Sequence, residues 1–121
     1  RLAAAKSTGG MTNKKFGRIG DTPLIGAGTF ANAVCAVSCT GHGEFFMLSA
    51  TAYDVAARMA YKGISLAEAA DEAIEHLTAI RGEGGLISVE RDGHVARPFE
   101  CEGMYRGTLD ASGLTLGIYR D

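Results

Sequence analysis

Three short stretches of the sequence combine residue types that could bind or cleave a small polar molecule. The first, Ser7-Thr8-Gly9-Gly10, places hydroxyl groups beside glycines, which let a ligand approach the backbone. The second places Arg18 and Asp21 three residues apart among glycines. An arginine can hold a carboxylate through two parallel hydrogen bonds, and an aspartate can hold an ammonium group. The pair could therefore bind both ends of a zwitterion; the alternative is a surface ion pair worth about 0–1 kcal/mol.

The third stretch, residues 40–44, reads Thr-Gly-His-Gly-Glu and joins a predicted strand to a predicted helix. Backbone N–H groups exposed at such a junction favour a developing negative charge. The alternative is an ordinary strand-to-helix turn. His42, like His76 and His94, has no metal-ligand spacing to another histidine or to a cysteine, so we predict no metal site.

A further glycine pattern, at residues 26–31, matches the G-x-G-x-x-A pattern of dinucleotide-binding sites. Such a site needs a helix directly after the glycines, with an acidic residue about 20 positions on. The next strand is predicted from Val34, which leaves no room for that helix. We therefore interpret the pattern as tight packing at a turn, and we predict no cofactor.

Composition limits the classes of partner. The chain has 121 residues, which suits one domain over 1–121, and its 12 Lys+Arg against 14 Asp+Glu give a net charge of −2. Because no basic stripe is present, nucleic acid and membrane surfaces are poor partners. The longest apolar stretch, residues 45–60, carries Asp54 and Arg58, which argues against a membrane span.

The three cysteines, Cys35, Cys39 and Cys101, indicate a reducing compartment. On one strand, Cys35 and Cys39 would lie about 13 Å apart at about 3.3 Å per residue. A disulfide needs Cα atoms within about 7 Å, so this pair cannot form one. We predict buried, reduced thiols and a cytoplasmic location.

Hydrophobic patterning predicts an α+β fold, because two helices lie between groups of antiparallel strands. In chain order we predict a strand at 2–7, a loop at 8–22, an apolar piece at 23–30, a strand at 34–40, helices at 44–62 and 66–81, a hairpin of 86–90 with 94–99, and a strand at 114–119. Ser65 and Glu68 have the spacing of a capping box at the second helix. Asp92-Gly93 predicts a two-residue type I′ turn in the hairpin.

Taken together, these segments resemble the isoaspartyl peptidase and plant-type L-asparaginase family of N-terminal-nucleophile hydrolases. The resemblance keeps its order over nearly the whole chain and rests on residues 2–14, 17–28, 39–44, 84–87, 98–99 and 102–106. It implies that the chain is the β-subunit half of a four-layer αββα sandwich. It also implies a partner α subunit from the same precursor, an α2β2 assembly, and hydrolysis of asparagine or β-aspartyl dipeptides.

The resemblance also implies a role for each candidate residue. Thr8 lies beside the nucleophile, and Arg18 holds the α-carboxylate of the substrate. Asp21 and the carbonyl of Gly43 hold its α-ammonium group. Thr40 and the N–H of Gly41 form the oxyanion hole. The family likeness allows a monovalent cation site, but the sequence indicates no ligands for it.

The nucleophile implied by the family is the N-terminal threonine of the β subunit, whose free amine acts as the base. That threonine belongs to a strand just before the Leu2 run, and this sequence starts after it. Thr8 and Thr12 cannot replace it, because neither carries a free α-amine. We expect that the sequence is truncated or that its first strand was absent from the material described.

Two alternatives remain open at this point. One is a catalytically inactive binding or structural relic that keeps the fold without a nucleophile. The other is a relative in the same superfamily, a glycosylasparaginase or a threonine aspartase. Ammonia release from asparagine, compared with turnover of glycosylasparagine, separates the glycosylasparaginase from an asparaginase.

The first prediction concerns the mature terminus. We expect the β subunit of the natural protein to begin with threonine and to extend this chain by one strand. Intact-mass measurement of the purified protein checks this, and a mature chain that starts at Arg1 would favour the relic instead.

Overall fold

Helices in the middle of the chain separate two groups of antiparallel strands. The computed structural model describes residues 1–120. Its elements are β1 Thr29–Ala31, β2 Cys35–Gly41, α1 Gly43–Ser49, α2 Thr51–Lys62, α3 Leu66–Ala79, β3 Gly84–Glu90, β4 Val95–Ala96, β5 Gly103–Asp110 and β6 Gly113–Tyr119. This mixture of helices and antiparallel strands confirms the α+β class.

The core lies between one face of a four-stranded sheet and the helices. The sheet has the order β1-β2-β3-β4, and all of its pairs are antiparallel. Alternate residues of β2, namely Cys35, Val37 and Cys39, are buried in the same cluster as α2 and α3. The strand predicted at 34–40 is therefore confirmed, with its apolar residues on the face that the helices cover.

The opposite face of the sheet is only partly covered. Ala36 and Ser38 of β2 line an apolar groove of about 380 Å³ there, with Ile87 of β3 beside them. Ala3–Ala5 and part of β5 form the other wall of this groove. Ile87 is 45% exposed, so this face lacks the close packing of the helix side.

The predicted helix at 44–62 is in fact two helices, α1 and α2. Ala50 joins them in the left-handed conformation, with φ 46° and ψ 46°, and caps both. The break shifts the helical phase, so that Leu48 is 79% exposed while Phe46 is fully buried. No helix-breaking residue stands at this point, because alanine favours helix interiors.

The second predicted helix is confirmed as α3, although it ends at Ala79 rather than at Arg81. Its capping box is also present. The Ser65 hydroxyl accepts a hydrogen bond from the Glu68 N–H, and the Glu68 carboxylate accepts one from the Ser65 N–H. Each residue thus satisfies the other's free donor at the start of the helix.

The strand predicted at 2–7 is wrong. These residues form no strand, and no strand within residues 1–120 pairs with them. An extended segment becomes part of a sheet only when a neighbour completes its hydrogen bonds. Amino-acid pattern alone does not show whether that neighbour is present.

The hairpin of β3 and β4 is confirmed, but its turn differs from the prediction. Glu90 N–H donates to the His94 carbonyl, which leaves a three-residue loop. Gly93 has a φ of 96°, whereas Asp92 has no positive φ, so the two-residue type I′ turn is wrong. A three-residue loop with glycine in its last position is the next most common hairpin connection.

The final strand predicted at 114–119 is confirmed as β6, and the prediction missed its partner. β5 pairs with β6 in a separate two-stranded sheet. Its residues Tyr105 and Leu109 are exposed, and Gly103 and Gly107 interrupt the alternation that marks a strand. In the described part of the chain, no helix has the length and apolar character needed to span a membrane.

The left-handed alanine gives a stability prediction. Ala50→Gly in the full-length protein is expected to raise the free energy of unfolding by about 0.5–1 kcal/mol, because glycine adopts positive φ without a Cβ penalty. Thermal or urea unfolding measures this change. As a control, Ala60→Gly, at an exposed position within α2, should lower stability by about 0.5–1 kcal/mol. If both variants are destabilised alike, the left-handed assignment of Ala50 is wrong.

Candidate active site

One cavity of about 360 Å³ collects the residues that the sequence analysis singled out. It lies at the C-terminal end of β2 and is lined by Lys6, Ser7, Thr8, Gly10, Met11, Arg18, Asp21, Thr22, Thr40, Gly41 and His42. Thr8, Arg18, Asp21, Thr40 and Gly41 therefore face the same space. Gly43, the sixth candidate, lies directly behind Asp21 and Arg18. Residues up to 36 positions apart in sequence thus line one site.

The Asp21 carboxylate is buried at the back of this cavity, where it is 5% exposed. Two glycines make room for it. A Cβ at Gly28 would overlap its carboxylate, and a Cβ at Gly43 would lie 2.9 Å from Asp21 Oδ1. Any other residue at either position would displace the acid. The glycines at 28 and 43 are therefore part of how the fold holds this side chain.

Lys6 is the partner of Asp21, and the sequence analysis missed it. Its Nζ donates to Asp21 Oδ2 at 2.5 Å, and the two side chains are 12% and 7% exposed. A charge buried this deeply needs a partner, because desolvation costs several kcal/mol per ion. One signal was available in the sequence: Lys6 is a charged residue that directly follows the small, apolar stretch Leu2-Ala3-Ala4-Ala5.

Arg18 lies at the mouth of the cavity and is half-buried. Its guanidinium folds back over Gly20 and also lies near Gly43. A Cβ added at Gly20 would lie 2.7 Å from Nη1, and a Cβ added at Gly43 would lie 3.2 Å from Nη2. A carboxylate oxygen of Glu44 is 4.0 Å from Nη2. This single distant ion pair leaves most of the five guanidinium N–H donors free for another carboxylate.

The backbone N–H of Gly41 points away from the neighbouring strand β3. Residues of an antiparallel strand turn their N–H and C=O groups alternately to either side. Cys39 N–H donates to the Gly28 carbonyl on the β1 side. The N–H of Gly41, two residues further along β2, therefore points to that same side. β1 begins only at Thr29, beyond Gly28, so the Gly41 N–H faces the cavity region rather than a strand.

The Thr8 hydroxyl stabilises a turn at residues 8–10. Its Oγ1 accepts a hydrogen bond from the Gly10 N–H at 3.0 Å, which closes a tight turn. Gly10 has a φ of 82°, a value that glycine adopts without strain. Thr8, Thr22 and Thr40 all line the cavity, and each is an internal residue without a free α-amine.

The Cys39 thiol lies close to the ion pair but is not a nucleophile. Burial raises its pKa to about 12; Lys6 opposes this shift and Asp21 adds to it. The thiol is therefore protonated at neutral pH, and the thiolate is the reactive form. Cys35, Cys39 and Cys101 are all unpaired. The absence of a Cys35–Cys39 disulfide agrees with the sequence analysis.

The residues that could together hold a metal lie outside this cavity. Glu90, Asp92 and His94 meet at the β3–β4 turn, where their ligand atoms lie within 4.8 Å of one another. His94 Nδ1 is 2.6 Å from Glu90 and 3.0 Å from Asp92, and these carboxylates raise the pKa of the imidazole. This is an exposed set of ion pairs, and we assign no metal to it.

The dinucleotide pattern at residues 26–31 leads into a strand, not a helix. Thr29–Ala31 is β1, and Gly26 and Gly28 are buried beside α2 and Asp21. The interpretation as tight backbone packing is confirmed. No helix starts there to bind a pyrophosphate.

Comparison with known proteins identifies the family of the chain. The family model described as asparaginase matches residues 1–118. The chain belongs to the asparaginase family. Members with similar sequences include the isoaspartyl peptidase of Escherichia coli, 57% identical over 123 residues, and that of Salmonella typhimurium, also 57% identical. The isoaspartyl peptidase/L-asparaginase of Xenopus laevis is 41% identical over 120 residues.

These asparaginase-family relatives are much longer than the chain. The alignments with these three relatives cover 98–99% of this chain but only 38–39% of each relative. The chain thus spans less than two-fifths of their length. The match confirms the family resemblance that the motifs indicated.

The buried ion pair gives the prediction for this site. Lys6→Met in the full-length protein leaves the Asp21 carboxylate buried without a partner, and breaking a buried pair in this way costs about 3–5 kcal/mol. Chemical unfolding measures the loss. The double variant Lys6→Met/Asp21→Asn removes both charges and should recover more than half of it. A single variant within about 1 kcal/mol of wild type would contradict burial of the pair.

Proposed function

We propose that the chain is the substrate-binding part of an amidohydrolase that cleaves β-aspartyl dipeptides and L-asparagine. The observation that carries this proposal is that Thr8, Arg18, Asp21, Thr40 and Gly41 line one cavity. The names of the relatives, isoaspartyl peptidase and L-asparaginase, support the same reaction. The substrates of that reaction are zwitterions with an amide close to both charges.

The two charged residues can hold the ends of such a substrate. Arg18 has free donors at the cavity mouth, and it binds the α-carboxylate through parallel hydrogen bonds. Asp21 faces its α-ammonium group, together with the Gly43 carbonyl. Lys6 occupies Oδ2 of Asp21, and Oδ1 lies on the side of Gly43. Oδ1 is thus the oxygen available to an ammonium group.

The amide carbonyl would then lie at the end of β2. Attack on it creates a negatively charged oxygen, which the Thr40 hydroxyl and the Gly41 N–H stabilise. Donors fixed before the reaction are effective because they need no reorganisation when charge develops. Removing one such donor typically slows catalysis about 10²–10³-fold.

The attacking group is the N-terminal threonine of the β subunit, outside these 121 residues. Its α-amine, with an ordinary pKa of about 7.7–8.0, can take the hydroxyl proton at neutral pH. Thr8 is the neighbour that hydrogen-bonds this threonine. The acyl-enzyme formed by attack is then hydrolysed by water to release aspartate.

The rest of the enzyme would complete the fold. We propose that residues 1–121 form one domain of a four-layer αββα sandwich, shared with an α subunit from the same precursor in an α2β2 assembly. The partly open face of the sheet, with its apolar groove, offers a surface for the second sheet. The unpaired cysteines support a reducing, cytoplasmic setting.

The prediction for this function concerns Arg18. Arg18→Ala in the full-length enzyme should lower kcat/KM for β-aspartyl-leucine about 10- to 100-fold, since hydrogen bonds to charged groups contribute about 1.5–3 kcal/mol. Arg18→Lys should recover only part of this loss, because lysine lacks the planar fork. Steady-state kinetics measure both.

Two controls make the test specific. Arg91→Ala removes an exposed arginine outside the cavity and should leave kcat/KM unchanged. Ammonia release from asparagine should exceed turnover of glycosylasparagine. If Arg18→Ala keeps the wild-type kcat/KM, the carboxylate-binding role is wrong; preferential turnover of glycosylasparagine would favour the glycosylasparaginase.

A further inference from the structure

A second cavity of about 350 Å³ adjoins the candidate active site. It is lined by Thr40, Gly41, His42, Glu83, Gly84, Cys101, Gly103, Met104 and Tyr105. Thr40, Gly41 and His42 also line the first cavity. The two spaces therefore meet at the same three residues, which include both proposed oxyanion donors.

Part of the ridge between the two cavities is bare backbone, at Gly41 and Gly84. Gly41 of β2 lies opposite Gly84 of β3 in the strand register. A Cβ on Gly41 would overlap the Glu83 carbonyl, and a Cβ on Gly84 would overlap the Thr40 carbonyl. Both glycines have large positive φ values, 144° and 147°. No side chain can therefore rise from either position to separate the cavities.

The second cavity differs from the first in its chemistry. No lysine or arginine lines it, and Glu83 is its one carboxylate among the described residues. Met104 is buried, while the ring of Tyr105 is 86% exposed and free to cover a ligand. Cys101 is engaged locally, because its Sγ donates to the Gly103 carbonyl at 3.2 Å. The space combines apolar surface with one negative charge.

We propose that this second cavity receives the leaving group of a β-aspartyl dipeptide and selects apolar over acidic residues there. The inference rests on the proposed function. When the amide carbonyl oxygen lies at Thr40 and Gly41, its acyl side faces Arg18 and Asp21 in the first cavity. The nitrogen must then point across the ridge, into the space beyond.

The proposed selectivity follows from Glu83 and Tyr105. An acidic side chain in the cavity is repelled by the Glu83 carboxylate, whereas an apolar side chain packs on Met104 and the Tyr105 ring. The leaving amino acid of every dipeptide carries a free α-carboxylate, so the effect of this group is the same for all of them. Cleavage consumes one water, breaks the C–N bond and transfers a proton to the nitrogen, which leaves as a free amino acid.

The test compares three substrates in the full-length enzyme: L-asparagine, β-aspartyl-leucine and β-aspartyl-glutamate. Asparagine releases only ammonia and does not enter the second cavity. Glu83→Gln should raise kcat/KM for β-aspartyl-glutamate about two- to fivefold, the size expected for a partly solvated charge pair. Tyr105→Ala should lower kcat/KM for β-aspartyl-leucine about fivefold, the size of one aromatic contact. Turnover of asparagine should stay unchanged in both variants.

Matched controls are Glu75→Gln and Tyr61→Ala, which alter exposed residues of α3 and α2 outside both cavities. They should change none of the three rates. If the wild type turns over asparagine and dipeptides but both site variants keep the wild-type substrate ratios, the second cavity is not the leaving-group site. The same conclusion follows if all three rates fall together. If the wild type cleaves none of the substrates, the proposed function itself fails.

Discussion

A carboxylate removed from water must be paired, and Asp21 imposes that requirement on the whole site. Its partner Lys6 lies on the N-terminal segment, which has no strand pairing of its own within the described chain. The ion pair therefore fixes this segment against the end of β2. It also places Thr8, two residues after Lys6, at the edge of the cavity. Burial of one acid thus organises residues that are distant in sequence.

Glycine is the second constraint. Gly28 and Gly43 leave space for the Asp21 carboxylate, and the opposed pair Gly41 and Gly84 lets the backbones of β2 and β3 approach closely. Each of these positions is explained by a specific close approach rather than by chain flexibility. The high glycine content, 17 of 121 residues, therefore reflects in part a site built from backbone surfaces.

Sequence reasoning succeeded where local chemistry decides the structure. The capping box at Ser65 and Glu68 and the strand ending at Gly41 involve residues close in sequence, so their patterns carry the information. The motifs at Arg18 and Thr40 predicted candidate site residues, and the fold brings them to one cavity.

Three of the failures have a common cause, since each depended on contacts between distant parts of the chain. Nothing local in Ala50 indicates a left-handed residue, and nothing in residues 2–7 shows whether another strand pairs with them. Lys6 was missed because its role appears only when Asp21, 15 residues away, is buried beside it.

The hairpin of β5 and β6 has a practical consequence for work on this protein. Its Leu109, Leu114 and Leu116 are 78%, 64% and 73% exposed, and the first two lie opposite each other in the register. An uncovered apolar ribbon of this kind promotes self-association through its edges and face. Produced by itself, the chain should precipitate or form inclusion bodies. The full-length protein is therefore the suitable material for kinetics.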